Sequence, residues 1–272
     1  MTAESFRPLA GRGVIVLDLD GVVYEGARAL PGAVDAIARL RGSGRRVAFL
    51  TNNSGRTGAQ IAEKLRGLGV ACDEEDITTS GQAAADLIAE RALDGGRGVH
   101  VFGSKELEGE VRARGLSVTS PNTCGVVLVG FDATLTYEDL ARALSAALRG
   151  VPLVTCNRDA SFPVGGGGRL PGCGAMTGAL EGCAARSVDH VAGKPEPWIL
   201  DLLLRRNSAG REDCFVVGDG LDSDVELAHR AGVPAVLVTA EGQPNTFDDS
   251  IAAFRTHSLA DLANALLEEG PP

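Results

Sequence analysis

Short β-branched runs recur along the chain and each gives way to a helical pattern, an alternation that limits the possible folds more than any other feature of the sequence. Strands that recur after intervening helices run side by side in the same direction, so the pattern predicts an α/β fold built around a mainly parallel sheet. Candidate strands cover 13–17, 46–50, 99–102, 125–130, 151–155, 188–192, 214–217 and 235–239. Between them, apolar residues fall at helical spacing: Ile61, Ala62, Leu65 and Leu68; Leu140, Leu144 and Leu148; and Trp198, Ile199, Leu202 and Leu203, the last group opened by Pro195 and Pro197. Such stripes are core faces. A final helix is expected from Ser258, with Asp261 at the capping-box position and Leu259, Leu262 and Leu266 facing inward.

Two breaks in the pattern, Leu93–Gly98 and Ala184–Val188, enclose a stretch with strands and helices of its own. A discontinuous parent domain formed by 1–96 and 188–272, interrupted by an α/β module at 97–187, accounts for this arrangement. Four consecutive glycines, Gly165–Gly168, lie inside the module near Asn157, Asp159 and Pro163. They suit a hairpin tip, which composition favours, and equally a loop that closes over a ligand.

At 272 residues the chain can bury a core without help from disulfides or metals. Its net charge of −10 and its lack of any basic tract argue against nucleic acid or an anionic membrane surface as partner. No apolar run approaches the roughly 20 residues that span a bilayer, and Met1–Arg7 lacks the order of a secretory signal, so a cytoplasmic protein is expected. Six cysteines without a Cys-x-x-Cys pair read as reduced, mostly buried thiols, Cys156 included, and the four histidines are dispersed.

Chemistry gathers at four strand ends. The run Gly13–Leu17 leads into Asp18-Leu19-Asp20-Gly21. Alternation along a strand sends both carboxylates to one side, where Gly21 lets the backbone turn away. Acids and glycines also mark ordinary strand exits, so this signal does not stand alone. The strand at 46–50 ends in Thr51-Asn52-Asn53-Ser54-Gly55, which can form a cup of hydroxyl and N–H donors for an oxyanion, or a capping turn. Lys194 is framed by Gly193 and Pro195, which restrict its backbone. The fourth cluster, Gly218-Asp219-Gly220-Leu221-Asp222-Ser223-Asp224, places three acids within six residues. Their repulsion calls for a divalent cation or a cationic side chain, and an all-oxygen environment suits Mg²⁺. Open parallel sheets bind ligands at their carboxyl edge, where all four clusters fall.

In this order, Asp18-x-Asp20-Gly21, Thr51-Asn52-Asn53, Lys194-Pro195 and Gly218-Asp219 through Asp224 resemble the haloacid dehalogenase-like phosphatase superfamily over essentially the whole chain. The segments DLDGVVYEG, LTNNSG, CNRDASFP with RLPGCGA, and AGKPEP resemble the subclass with a large α/β cap inserted after the second motif. That subclass includes 4-nitrophenyl, phosphoglycolate, glycerol-phosphate, pyridoxal phosphate and nucleotide phosphatases. The resemblance implies a Rossmann-like core with an inserted α/β cap and hydrolysis of a small-molecule phosphate ester. Asp18 would be the nucleophile and Asp20 the general acid and base. It also implies Mg²⁺ held by the Asp18 carboxylate, the Asp20 carbonyl and Asp219. Phosphoryl oxygens would meet Thr51, the Asn52 N–H and Lys194, with Asn53 shaping the loop and Asp224 orienting Lys194 or acting through water. Asn157, Arg158 and Asp159, with the loop from Gly165 to Pro171, are candidates for meeting the leaving group, and a homodimer through the cap is the candidate assembly.

Three other readings use similar residues. A phosphomutase shares the aspartyl-phosphate, and a phosphorelay receiver domain shares an acid pocket, Thr and Lys but has no use for an inserted module or for Asp20. A silent phosphate sensor would not need the complete set of acids.

Overall fold

The structure, a computed structural model, describes residues 3–164, 168–239 and 254–268. The chain packs as two compact units, one formed by Met1–Thr51, Gly58–Thr78 and Lys194–Pro272, the other by Asn52–Thr57 and Thr79–Gly193. The divisions fall at 51/52, 57/58, 78/79 and 193/194, the last two against the 96/97 and 187/188 suggested by the sequence. Helix Ser80–Glu90 accounts for the first difference, because it is buried along most of its length within the second unit. The second difference follows from His190–Val191, which pairs in parallel with Val154–Thr155 and so extends that unit's sheet.

The first unit is built on a six-stranded sheet in the order Phe254–Thr256, Ala235–Val238, Cys214–Gly218, Val14–Leu17, Arg46–Thr51 and Ile77–Thr79. The pairs among its first five strands are parallel. All four residues of Val14–Leu17 are buried, as a central parallel strand covered on both faces requires. Ile15, Leu17, Phe49, Phe215 and Val217 from the sheet join Ile37 and Leu40, Ile61 and Leu65, and Leu262 and Leu266 from three helices in one core. The predicted cap is present on the last helix, Leu259–Glu268: Ser258 Oγ accepts the Asp261 N–H at 3.1 Å. Helix Pro197–Arg206 starts on a proline, whose missing N–H costs nothing in a first turn.

The second unit carries a four-stranded parallel sheet in the order His190–Val191, Leu153–Thr155, Val126–Val129 and Val99–Phe102. Helices Ser80–Glu90, Lys105–Ala113, Tyr137–Ala147 and Cys173–Ala184 belong to the same unit. Its core collects Phe102, Val127, Val129, Ala143, Ala146, Leu153 and Leu180. Thr136 caps helix Tyr137–Ala147, with its hydroxyl accepting the Asp139 N–H at 3.3 Å and Asp139 Oδ2 accepting the Thr136 N–H at 2.9 Å. An antiparallel hairpin pairs Ser161–Val164 with Gly168–Pro171. Gly165–Gly167, the greater part of the four-glycine run, lie outside the described residues.

All six cysteines are free thiols, and only Cys183 is exposed. Burial pushes the Cys156 and Cys173 thiols up, which keeps them protonated and unreactive and fits a packing role. Among the described residues, no helix is long and apolar enough to cross a membrane.

Candidate active site

Strand register brings the first unit's polar residues to one edge. Leu17 lies level with Phe49 on one neighbour and Val217 on the other, so Asp18, Thr51 and Asp219 all leave the sheet at its carboxyl end. The Asp18 N–H still donates to Val217 O at 2.8 Å, so the backbone that carries this acid remains part of the ladder. Beyond it the chain turns at Gly21, with φ +81°, a left-handed conformation that suits glycine. Glycine is needed there for a second reason. A Cβ on Gly21 would lie 2.0 Å from Asp219 Oδ2, so the bare backbone is what lets that carboxylate approach.

Lys194 lies among the acids. Its ammonium is 2.5 Å from Asp18 Oδ1 and 2.7 Å from Asp224 Oδ1, and the side chain is almost wholly buried. Asp18, Asp219 and Asp224 each present a carboxylate oxygen within 4.8 Å of the others. Asp224 comes from the single π turn Leu221–Val225. Its second oxygen accepts the Gly220 N–H and the Ser223 hydroxyl, each at 3.2 Å, so the carboxylate is gripped from behind while its other oxygen faces Lys194. Gly218 makes room for this acid, since a Cβ there would fall 2.2 Å from Asp224 Cβ and Cγ. Asp20 is exposed, as is Asp222, which takes no part in the cluster.

Three carboxylates against one ammonium leave a surplus of negative charge. Desolvation drives the Asp18 carboxyl well above its ordinary range; Lys194 opposes this, while Asp224 and Asp219 add to it. Asp219 keeps an open side toward solvent, yet its carboxyl is pushed up to about 6, first by the protein crowded around it and then by the Asp224 charge. Burial alone would pull Lys194 down. The two carboxylates beside it outweigh that effect and hold it above the usual lysine range, so it stays an ammonium.

The remaining sequence candidates lie in the second unit. Asn52 O accepts Ser80 Oγ–H at 2.7 Å and Asn157 Nδ2–H at 2.6 Å. Asn52 Nδ2 in turn donates toward both oxygens of Asp159 at 3.1 Å, and the Asp159 N–H donates to Asn157 Oδ1 at 3.0 Å. Asn53 Oδ1 accepts the Gly55 N–H at 3.0 Å, an Asx turn that shapes the loop. Arg158 pairs with Glu181 at 2.5 Å. Sequence reading passed over Ser223 and Ser80. Ser223 sits beside an acid already singled out, whereas Ser80 is separated by 28 positions from the carbonyl it meets and gives no local signal.

A parallel sheet whose carboxyl edge gathers aspartates around one lysine defines a hydrolase site of the haloacid dehalogenase type. Comparison with known proteins agrees. Residues 15–117 match the haloacid dehalogenase-like hydrolase family and 191–265 a second family described as HAD-hydrolase-like. Glycerol-3-phosphate phosphatase of Gallus gallus is 32% identical over 84% of this chain and 80% of its own. The crystal structure of 4-nitrophenylphosphatase from Thermotoga maritima superposes with a TM-score of 0.88 at 30% identity, covering 95% of this chain and 99% of that one. Glycerol phosphate phosphatase from Mycobacterium tuberculosis, solved in complex with magnesium, gives 0.84 at 31% identity over 95% and 77%. The chain belongs to the haloacid dehalogenase-like hydrolase family. Within it, the chain is a phosphatase of the cap-containing subclass.

Proposed function

We propose that this chain hydrolyses small-molecule phosphomonoesters in an Mg²⁺-dependent reaction that passes through an aspartyl-phosphate on Asp18. The observation that carries this reading is the meeting of Asp18, Asp219, Asp224 and Lys194 at one sheet edge. Oxygen-only donors with surplus negative charge fit a hard divalent cation, and a magnesium complex of a relative supports the choice of ion. Asp18, the Asp20 carbonyl and Asp219 would hold it. When bound, Mg²⁺ supplies positive charge that offsets repulsion between the phosphate ester and the attacking carboxylate.

The residues of the chain divide the remaining work. An Asp18 oxygen attacks phosphorus and the bond to the alcohol oxygen breaks, while Asp20 donates a proton to that leaving oxygen. Asp20 then takes a proton from the water that attacks the aspartyl-phosphate, which releases inorganic phosphate and restores Asp18. The exposure of Asp20 suits a group that exchanges protons in both half-reactions. Thr51, the Asn52 N–H and Lys194 counter charge on the phosphoryl oxygens. Asp224 keeps Lys194 oriented. The second unit is assigned the role of a cap that selects the leaving group.

The test is phosphate release from glycerol phosphates, sugar phosphates, phosphoglycolate, nucleoside monophosphates and pyridoxal phosphate, ranked by kcat/KM. EDTA should abolish release and MgCl₂ restore it. Asp18→Asn should fold and release nothing. Turnover that survives in Asp18→Asn, or that ignores EDTA, would remove the basis of the proposal, and phosphate released well below stoichiometry would indicate a mutase.

A further inference from the structure

We propose that Ser80, Asn157 and Asp159 are positioning residues for Asn52, so that they govern turnover of every substrate alike and not the choice among substrates. This inference rests on the reading above, in which the Asn52 N–H meets a phosphoryl oxygen. Its geometric basis lies wholly inside the second unit.

The Asn52 carbonyl has two donors on it, Ser80 Oγ at 2.7 Å and Asn157 Nδ2 at 2.6 Å, and both donor side chains are buried. A carbonyl oxygen offers two lone pairs, and both are used. A trans peptide is rigid, so anchoring this oxygen fixes the plane of the peptide that joins Asn52 to Asn53. The Asn52 side chain is fixed as well, because its amide meets the two oxygens of Asp159 at 3.1 Å each. With the carbonyl and side chain both held, the Asn52 Cα and the position of its backbone nitrogen are fixed, and the direction of the N–H is completed by the preceding peptide from Thr51, the last residue of strand Arg46–Thr51. Asn157 and Asp159 brace each other in turn through the Asp159 N–H on Asn157 Oδ1 at 3.0 Å.

The two ends of the Asn157 amide are thus committed within the cluster, and the residue is 2% exposed. A side chain so placed is poorly suited to meet a leaving group, the role its position beside the hairpin suggests. Ser80 opens helix Ser80–Glu90, whose first turn is fastened by Thr79 Oγ1 accepting the Gln82 N–H at 3.1 Å, so the hydroxyl is presented from a fixed element.

The experiment compares kcat and KM of the full-length wild type with those of Asn157→Ala, Ser80→Ala, Asp159→Ala and Asp159→Asn. It uses two substrates with unlike leaving groups, 4-nitrophenyl phosphate and glycerol 3-phosphate, and adds hydrogen–deuterium exchange of the segment 50–57. Removing a buried donor or acceptor from the cluster should lower kcat by about tenfold, by the same factor for both substrates and with KM unchanged. Exchange in 50–57 should rise. Asp159→Asn keeps an acceptor for the Asn52 amide and should stay within about threefold of wild type. Should Asn157→Ala fail to fold, Ser80→Ala, which deletes one of two donors to the same oxygen, gives the answer. A KM change confined to one substrate, or unaltered exchange at 50–57, would overturn the proposal. A wild type inactive on both substrates would reject the phosphatase reading instead, and the exchange data would still decide whether the cluster holds the loop.

Discussion

At the carboxyl edge of the first unit's sheet three carboxylates share one ammonium, whereas in the second unit Asn52, Ser80, Asn157 and Asp159 meet one another through amides, a hydroxyl and a single carboxylate. Desolvated charge in excess is costly unless something neutralises it, so the first cluster is built to receive a partner. A polar group whose donors and acceptors already match gains little from a ligand and gains rigidity from itself. The contrast separates the proposed place of chemistry from the proposed brace of a backbone group.

The comparison breaks most sharply at Lys194. Replacing it with methionine should cost at least about a hundredfold in kcat, by analogy with loss of one transition-state donor. It should also destabilise EDTA-treated protein by about 3 kcal/mol, because the buried acids lose their only nearby cation of the described cluster. Melting curves with and without MgCl₂ check this, and the deficit should shrink when the ion is added. Next comes Gly218→Ala. Its Cβ would displace Asp224 and with it Lys194, so kcat should fall about a hundredfold, the scale of an ångström-sized misplacement, while stability drops by about 1–3 kcal/mol.

Ser223→Ala sharpens the contrast from the other direction. The Gly220 N–H remains on Asp224 Oδ2, so steady-state kinetics should show a loss of only about threefold. The smallest effect on catalysis belongs to Thr136→Ala in the second unit, which should lower stability by about 1 kcal/mol and leave kcat/KM unchanged. The Thr136 hydroxyl and N–H hold the Asp139 carboxyl below its usual range. A depressed carboxyl contributes stability above its unfolded pKa and loses that contribution as pH falls through the folded value. The difference in melting temperature between wild type and Asp139→Asn should therefore be present at neutral pH and vanish in strong acid.

Much of the first unit was legible from its residues. Val14–Leu17, Arg46–Thr51, Cys214–Gly218 and Ala235–Val238 all coincide with predicted strands to within a residue, since each is a buried run whose apolar character is unbroken or nearly so. Phe254–Thr256 and Ile77–Thr79 escaped because three-residue edge strands carry too little pattern. The glycine run marked a hairpin tip, but the strands Ser161–Val164 and Gly168–Pro171 that pair beside it escaped for another reason: Gly168–Pro171 is exposed at every position, so no alternation records which side faces in. Helix Ser80–Glu90 is the converse case: most of its positions are buried, the polar Ser80 and Gln82 included, so polarity in the sequence does not mark the side that faces out.

Within the site, the acids and Lys194 could be read because each lies in a short motif at a strand end. The grip of Ser223 on Asp224 and of Ser80 on Asn52 could not. A serine gives no sign of its partner when the bond depends on a turn's shape or on a residue far along the chain.

The uneven exposure of the thiols has a practical use. Five are shut inside the protein and Cys183, near the end of helix Cys173–Ala184, faces water, so a maleimide dye added under native conditions would attach at one address without any engineered cysteine. A fluorophore so placed would report from the second unit during turnover, on a scaffold whose strand-end acids had not been altered.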